Sequence, residues 1–450
     1  MKGSNWSRRW APALLAGALL GTAVLAPFAT PAAAAEESRR SKREKAAEPA
    51  APQQQFSKEF VKKAVPVQKL VNEKKWAEVL QALPEIEAIA TLNPDDRKVL
   101  AGWRLQALQG TNDTEGLMAG FERFIEDGFA APDQVGALHQ QLAAWYNSKR
   151  DNVRALQHYQ AFIDATPAPQ PKELETLARL YLQASRCDEA DRWLVRVMSE
   201  ARQAGRRPEE LWYQLRDRCL VELKRDDERL ANLEGVLADY TSRDYYTRVL
   251  SLYRVRSADD RVLMLNAYRL AITDPLGGLG TVGTYLDYAD VALVLGSPGE
   301  AVRALERGIR ENIVPDAGSN QAVLQEARTA LASDSRNLSA DAAAAAKNPK
   351  GEVEVKVGLG YYSKGDYAKT VELVRNGLAR GGVTRVDDAQ LLLGAALFEL
   401  GRLDEARAAF EAAAAAAGSQ SLLGHVANLW LARLSREQPA AAGDGSRSTG

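Results

Sequence analysis

Gly278-Leu279-Gly280-Thr281-Val282-Gly283 fits the G-x-G-x-x-G spacing with which a backbone cradles a pyrophosphate. That pattern binds a dinucleotide only when it follows a strand and opens a helix. Here it follows Tyr268-Arg269-Leu270-Ala271, which reads as a helix end, and then Asp274-Pro275. It is read as a glycine-rich connection between helices, and no nucleotide cofactor is expected. The 3 histidines are His139, His158 and His425. His139 and His158 fall on the two helices of one hairpin, and no cysteine or acidic cluster completes a ligand set of usual spacing, so no metal is expected. No Ser, His and Asp form a nucleophilic triad by motif, and no nucleophile elbow is present. Asp and Glu are too evenly spread to select the carboxylate pair of a glycosidase, so no catalytic residue is named. Of the 2 cysteines, Cys187 sits at a turn and Cys219 follows 32 residues later in the next first helix. Two readings stand side by side: a bridge tying neighbouring repeats in an oxidising compartment, or two buried thiols acting as small apolar fillers.

The elements that must hold these residues are written in a repeat. Gly358 and Gly394 are 36 residues apart, as are Gly365 and Gly401. Around them Tyr361, Tyr367 and Val374 are answered by Leu397, Leu403 and Phe410, with Ala406 and Ala413 following. Fixed-period similarity near 34 residues, with small residues at set places, marks stacked helical hairpins. A first helix ends near Gly365 or Gly401 and the second starts one or two residues later. Small residues at the eighth and twentieth places let two backbones approach, and large ones at the eleventh and twenty-fourth fill the groove. Gly inside a helix costs about 1 kcal/mol against Ala, so Gly358 and Gly394 make sense only where close contact repays it.

Other copies follow the same template. Leu142, Ala143, Tyr146, Ala155, Tyr159 and Phe162 make one, closed by Pro167. Leu177, Ala178, Tyr181, Ala190 and Leu194 make another, with Cys187 at its turn. Ala289, Gly296, Ala301, Leu305 and Gly308 make a third. Looser copies start near Trp212 with Leu215, and near Tyr246 with Leu250 and Tyr253; the loosest lies between Val67 and Leu83. On these residues the chain resembles the tetratricopeptide-repeat family. The resemblance implies an all-α fold, an α-solenoid that is a right-handed superhelix of stacked antiparallel hairpins, over residues 56–435, with room for roughly nine hairpins. Segment 314–348 lacks a turn signature, holds an alanine run at 342–346, and is read as a degenerate hairpin.

In that family first-helix side chains line a concave face at about the second, fifth, ninth, twelfth and thirteenth places. Carried onto this chain, the places give Arg179, Gln183, Tyr213, Asp217, Arg254, Tyr362 and Phe398 as a partner-binding groove, with Arg248 adjacent. Aromatic and arginine side chains are the types that anchor interfaces. Tyr181, Tyr253 and Tyr361 occupy the packing place instead.

The first 35 residues read as an export signal: Lys2, Arg8 and Arg9, an apolar stretch at 11–26, Pro27 and Pro31, then Ala33-Ala34-Ala35 before Glu36. The apolar stretch is shorter than the ~20 residues of a membrane span. Residues 36–55 interleave acids and bases with proline and read as a disordered linker, and 436–450 as a disordered tail. Leu422, Val426, Leu429, Trp430 and Leu434 form a one-sided stripe suited to a capping helix. With 58 basic and 59 acidic residues, no field invites nucleic acid, and no integral span is expected in the mature chain.

A narrower resemblance rests on Leu177-Ala178-Arg179-Leu180-Tyr181-Leu182, on Leu295-Gly296-Ser297-Pro298 before Ala301, on Ala346-Lys347-Asn348-Pro349-Lys350-Gly351-Glu352 before Gly358 and Tyr361, and on Leu392-Leu393-Gly394 with Phe398. These stretches are similar to the secreted repeat proteins that accompany TonB-type energy-transduction systems. The resemblance implies a periplasmic, non-enzymatic scaffold for envelope proteins, with TonB/ExbB/ExbD-type components among its partners. Two alternatives stand beside it: an assembly factor for a secretion, pilus or polysaccharide-export machine, and a helical hydrolase or lyase of envelope glycans.

Overall fold

The computed structural model describes residues 55–257, 260–275, 277–418 and 420–437. The expected signal, nearly all of the linker and most of the tail lie outside them. Among the described residues there are twenty α-helices and no strand. They fall into two compact units, the first ending at Arg186 and the second beginning at Cys187.

The first unit holds α1 (Lys58–Asn72), α2 (Trp76–Glu87), α3 (Pro94–Gly110), α4 (Thr114–Glu126), α5 (Pro132–Ser148), α6 (Asn152–Asp164) and α7 (Pro171–Gln183). Each packs on the next, and Phe60, Leu83 and Trp103 lie fully buried at its N-terminal end. The second unit holds α8 (Cys187–Gln203), α9 (Glu210–Glu222), α10 (Asp226–Asp239), α11 (Arg243–Arg256), α12 (Arg261–Thr273), α13 (Val282–Val294), α14 (Pro298–Arg310), α15 (Gly318–Ala345), α16 (Glu352–Lys364), α17 (Tyr367–Arg380), α18 (Val386–Glu399), α19 (Leu403–Ala417) and α20 (Leu422–Glu437).

One turn geometry recurs between paired helices. Lys74, Asn112, Arg150, Lys224, Gly296, Gly365 and Gly401 all have positive φ, between 56° and 88°. The next residue donates its amide to the carbonyl five back: Lys75 to Leu70, Asp113 to Leu108, Asp151 to Tyr146, Arg225 to Leu220, Ser297 to Ala292, Asp366 to Tyr361 and Arg402 to Leu397. This is the Schellman closure, which satisfies the last carbonyls of the first helix. Asp113, Asp151 and Asp366 then cap the second helix by accepting the amides of Gly116, Arg154 and Lys369. The close contacts expected of the eighth place are also present. A methyl on Gly394 would meet the Phe410 ring at 2.5 Å, and one on Gly358 would meet Val374 at 2.9 Å.

Segment 314–348 is not a hairpin. Gly318–Ala345 is one uninterrupted helix of 28 residues, about 42 Å long at 1.5 Å per residue. Its alanines favour helix, and after Gly318 no glycine or proline interrupts it. After this long helix the second unit turns back on itself. Besides their sequence neighbours, α16 packs on α14, α18 on α12, and α20 on α10, α12 and α18. The stripe Val426, Leu429, Trp430 and Leu434 is buried, yet α20 does more than cover α19. It lies across helices from the start of the unit.

Candidate functional site

The turned-back packing is pinned by polar residues inside α12. Asp260 caps this helix, and everything from Leu263 to Ala271 is buried, including Asn266 and Arg269. A buried guanidinium demands a partner. Arg269 Nε and Nη2 donate to the two Glu300 oxygens at 2.8 and 2.7 Å, and Nη1 donates to Asn266 Oδ1 at 3.2 Å. Glu300 also accepts from the Tyr288 hydroxyl at 2.7 Å and the Ser297 hydroxyl at 2.5 Å. Asn266 Nδ2 donates to Asp388 of α18 at 2.8 Å, and the Arg269 guanidinium lies 4.9 Å from the ring centre of Tyr362 on α16. One network thus joins five helices. Burial pushes the Glu300 carboxyl up, but the Arg269 charge and its hydrogen bonds outweigh that and hold it below the usual carboxylate range. Burial raises the Asp388 carboxyl.

Next to this network α14 meets the end of α16 at backbone distance. The Gly299 amide donates to the Ser363 hydroxyl at 2.8 Å, and Arg303 Nη1 donates to the Ser363 carbonyl at 2.7 Å. From α20, buried Arg433 donates to the Thr273 hydroxyl and carbonyl at 2.6 and 2.8 Å, and lies 4.4 Å over the Phe398 ring. Arg436 donates to the carbonyls of Leu237 and Ala238. These two arginines therefore sit on the C-terminal ends of α12 and α10, where a helix carries partial negative charge.

A cavity of about 320 Å³ opens where α12, α14, α16, α17 and α18 converge, with Arg303, Arg310, Tyr362, Tyr367, Phe398 and Glu399 on its walls. Burial raises the Tyr367 hydroxyl and the Glu399 carboxyl, the latter against the pull of Arg303 and Arg433. Two residues of the groove expected from sequence, Tyr362 and Phe398, meet here. The others are placed elsewhere. Arg179 donates to Glu175 at 3.0 Å, and Gln183 is exposed, its carbonyl accepting from Asn152. Tyr213 is 2 % exposed, with its hydroxyl on Asp239 and Arg202. Asp217 lies between Arg229 and Arg248, each at 2.9 Å, and Arg254 pairs with Asp287.

The recurring left-handed turn, with a small residue of the first helix against a large one of the second, is the packing unit of this chain. The fold is tetratricopeptide-type. No family model matches the chain, and no curated protein matches it. Among solved structures, a tetratricopeptide repeat protein from Parabacteroides merdae is 12 % identical over 66 % of this chain and 99 % of its own, with a TM-score of 0.27. The tetratricopeptide domain of P58(IPK) is 12 % identical over 84 % of this chain and 98 % of its own, at 0.22, and Naa15/Naa10 bound to HypK is 13 % identical over 86 % and 69 %, at 0.23.

In this tetratricopeptide-type chain the motif at 278–283 joins α12 to α13, and Thr281 caps α13. It follows a helix, not a strand. Cys187 and Cys219 are both buried and free; the Cys187 thiol donates to Glu222 at 3.0 Å, and burial raises both thiols. His139 and His158 approach through their Nδ1 atoms at 3.0 Å, with His158 Nε2 3.3 Å from Glu122. Among the described residues no group of three or more His, Cys, Asp and Glu is arranged to hold a metal, and no helix is long and apolar enough to cross a membrane. The sequence reading missed Arg269, Glu300, Arg303, Tyr367 and Glu399. A signal for the first was present: Asn266 and Arg269 interrupt an apolar run, and charge in such a run calls for a buried partner.

Proposed function

We propose that this chain is a non-enzymatic scaffold that orders proteins of the cell envelope, in the manner of the periplasmic repeat proteins of TonB-type systems. Export rests on the signal-like first 35 residues, and the TonB association on the stretches quoted above. Helical-repeat folds present surfaces for partner proteins. The observation that carries the reading here is the cavity among α12, α14, α16 and α18, whose aromatic and charged walls are left open to solvent. A partner segment would anchor there, and TonB/ExbB/ExbD-type components are the partners of choice.

Photocrosslinking in living cells tests this. Tyr213 and Tyr362 are 2 % and 3 % exposed, so a photoreactive residue belongs at Arg310, which is exposed. The expected result is capture of an inner-membrane energy-transduction component from the periplasmic fraction. Recovery of the protein from the cytoplasm, capture of abundant bystanders alone, or glycan turnover abolished by one carboxylate substitution would overturn the reading.

A further inference from the structure

The cavity's charges do not balance internally. Arg269 is closed by Glu300, Arg307 by Glu311 at 2.6 Å, and Glu306 at the rim by Arg328 at 2.8 Å. Arg303 has no carboxylate partner; its donors go to the carbonyls of Tyr362 and Ser363. Arg310 makes no hydrogen bond or ion pair among the described residues, and neither the Tyr362 and Tyr367 hydroxyls nor the Glu399 carboxylate makes a hydrogen bond there. Two guanidiniums without a hydrogen-bonded carboxylate, Arg303 leaning electrostatically on Glu300, thus face the Glu399 carboxylate beside three aromatic rings. Tyr362 and Tyr367 pack edge to face at 5.1 Å, and Phe398 lies under Arg433. At about 320 Å³ the space is at the small end of ligand sites, which run roughly 300–1,000 Å³.

We propose that this cavity binds a carboxylate carried on a flat aromatic body, with Arg303 and Arg310 as the anion's partners and Tyr362, Tyr367 and Phe398 as the walls. Arginine forks match carboxylates, and the two tyrosine hydroxyls supply further donors. Glu399 couples the site to protons. Arg303 of α14 and Arg433 of α20 favour its charged form, while Glu300 of α14 and burial disfavour it. Arg307, Arg310, Glu306 and the two tyrosines complete the charged and titratable surroundings. An incoming anion adds a second negative charge beside Glu399, so binding draws a proton onto that carboxyl, and affinity rises as pH falls.

The same chemistry could come from a free aryl acid or from a partner's acidic residue next to an aromatic one. Only the second source rests on the scaffold reading. Calorimetry on the purified full chain distinguishes them, using 4-hydroxybenzoate, the neutral control 4-hydroxybenzyl alcohol, and the peptide acetyl-Tyr-Glu-amide. The acid should bind at least about tenfold more tightly than the alcohol, a discrimination one charged hydrogen bond can supply. Arg310→Ala should weaken binding roughly tenfold, and Glu399→Gln should strengthen it at about pH 8 and flatten its dependence down to about pH 6. Neither side chain supports the fold, so both variants should remain folded. Binding of the peptide alone assigns the site to a protein partner, and of the free acid alone to a small molecule. The proposal is overturned if neither carboxylate binds at about 5 mM, if the alcohol binds equally, or if both variants behave as wild type. Successful crosslinking alongside any of these would leave the scaffold reading standing without this site.

Discussion

At the scale of single residues, the decisive group is Arg269. It is 2 % exposed and bonded on three nitrogens. Removing one member of a buried pair strands the other charge, so Arg269→Met should cost about 3–5 kcal/mol in urea denaturation of the second unit. The double variant Arg269→Met, Glu300→Leu should lose less than either single change, because no charge is then stranded. A double variant as unstable as the sum of the singles would refute that account. In the first unit, burial lowers the His139 pKa from 6.5, and the neighbouring His158 adds to the effect. Below 6.5 the unfolded chain binds a proton that folded His139 refuses, so stability is present above that window and falls as pH drops through it. His139→Gln should flatten the slope of melting temperature against pH; an unaltered slope would place its origin elsewhere. The partners of Arg269 and Asn266 were not legible in sequence. Asn266 and Asp388 meet at 2.8 Å, and no local spacing rule connects such distant positions.

At the scale of elements, the hairpin was readable because its physics is local. Gly365 and Gly401 announce the left-handed turn that a Cβ disfavours. The same turn at Lys74, Arg150 and Lys224 carries no such signal, since there the Schellman hydrogen bonds and the second helix's packing enforce it on residues that disfavour it, while Asn112 tolerates it. Lys74, Asn112 and Arg150 are 38 residues apart, and Ser185 continues the series 35 residues later. Exposed Arg150 and Lys224 should each therefore be improved by glycine. Relief of left-handed strain, about 1–2 kcal/mol, exceeds the entropy glycine adds, leaving a gain of roughly 0.5–1 kcal/mol measurable by denaturant titration. A loss of stability on either change would count against the strain argument. The long α15 departs from the hairpin for the converse reason: a missing turn signal there means continuous helix, not a weak turn.

At the scale of the whole molecule, the chain comprises two compact units, and the second is closed by its own last helix. Trp430 is 1 % exposed, stacked 4.9 Å from Phe410 and tilted at 5.2 Å from Phe398. Trp430→Ala should therefore cost about 3–5 kcal/mol and should open α10 and α12 to proteolysis, not only the neighbouring α19. Cleavage confined to α19 and α20 would show that the last helix is a simple cap.

By itself the sequence determined the helical class, the hairpin unit and the close contacts at Gly358 and Gly394, because periodicity and small side chains act over one or two turns of chain. Only the tertiary structure decided that α16, α18 and α20 return to α10, α12 and α14, and so where Tyr362 and Phe398 meet Arg303 and Glu399. That choice rests on burying one guanidinium with its carboxylate and on capping two distant helix ends with Arg433 and Arg436. Such interactions are specified by three-dimensional proximity, which no repeat period encodes.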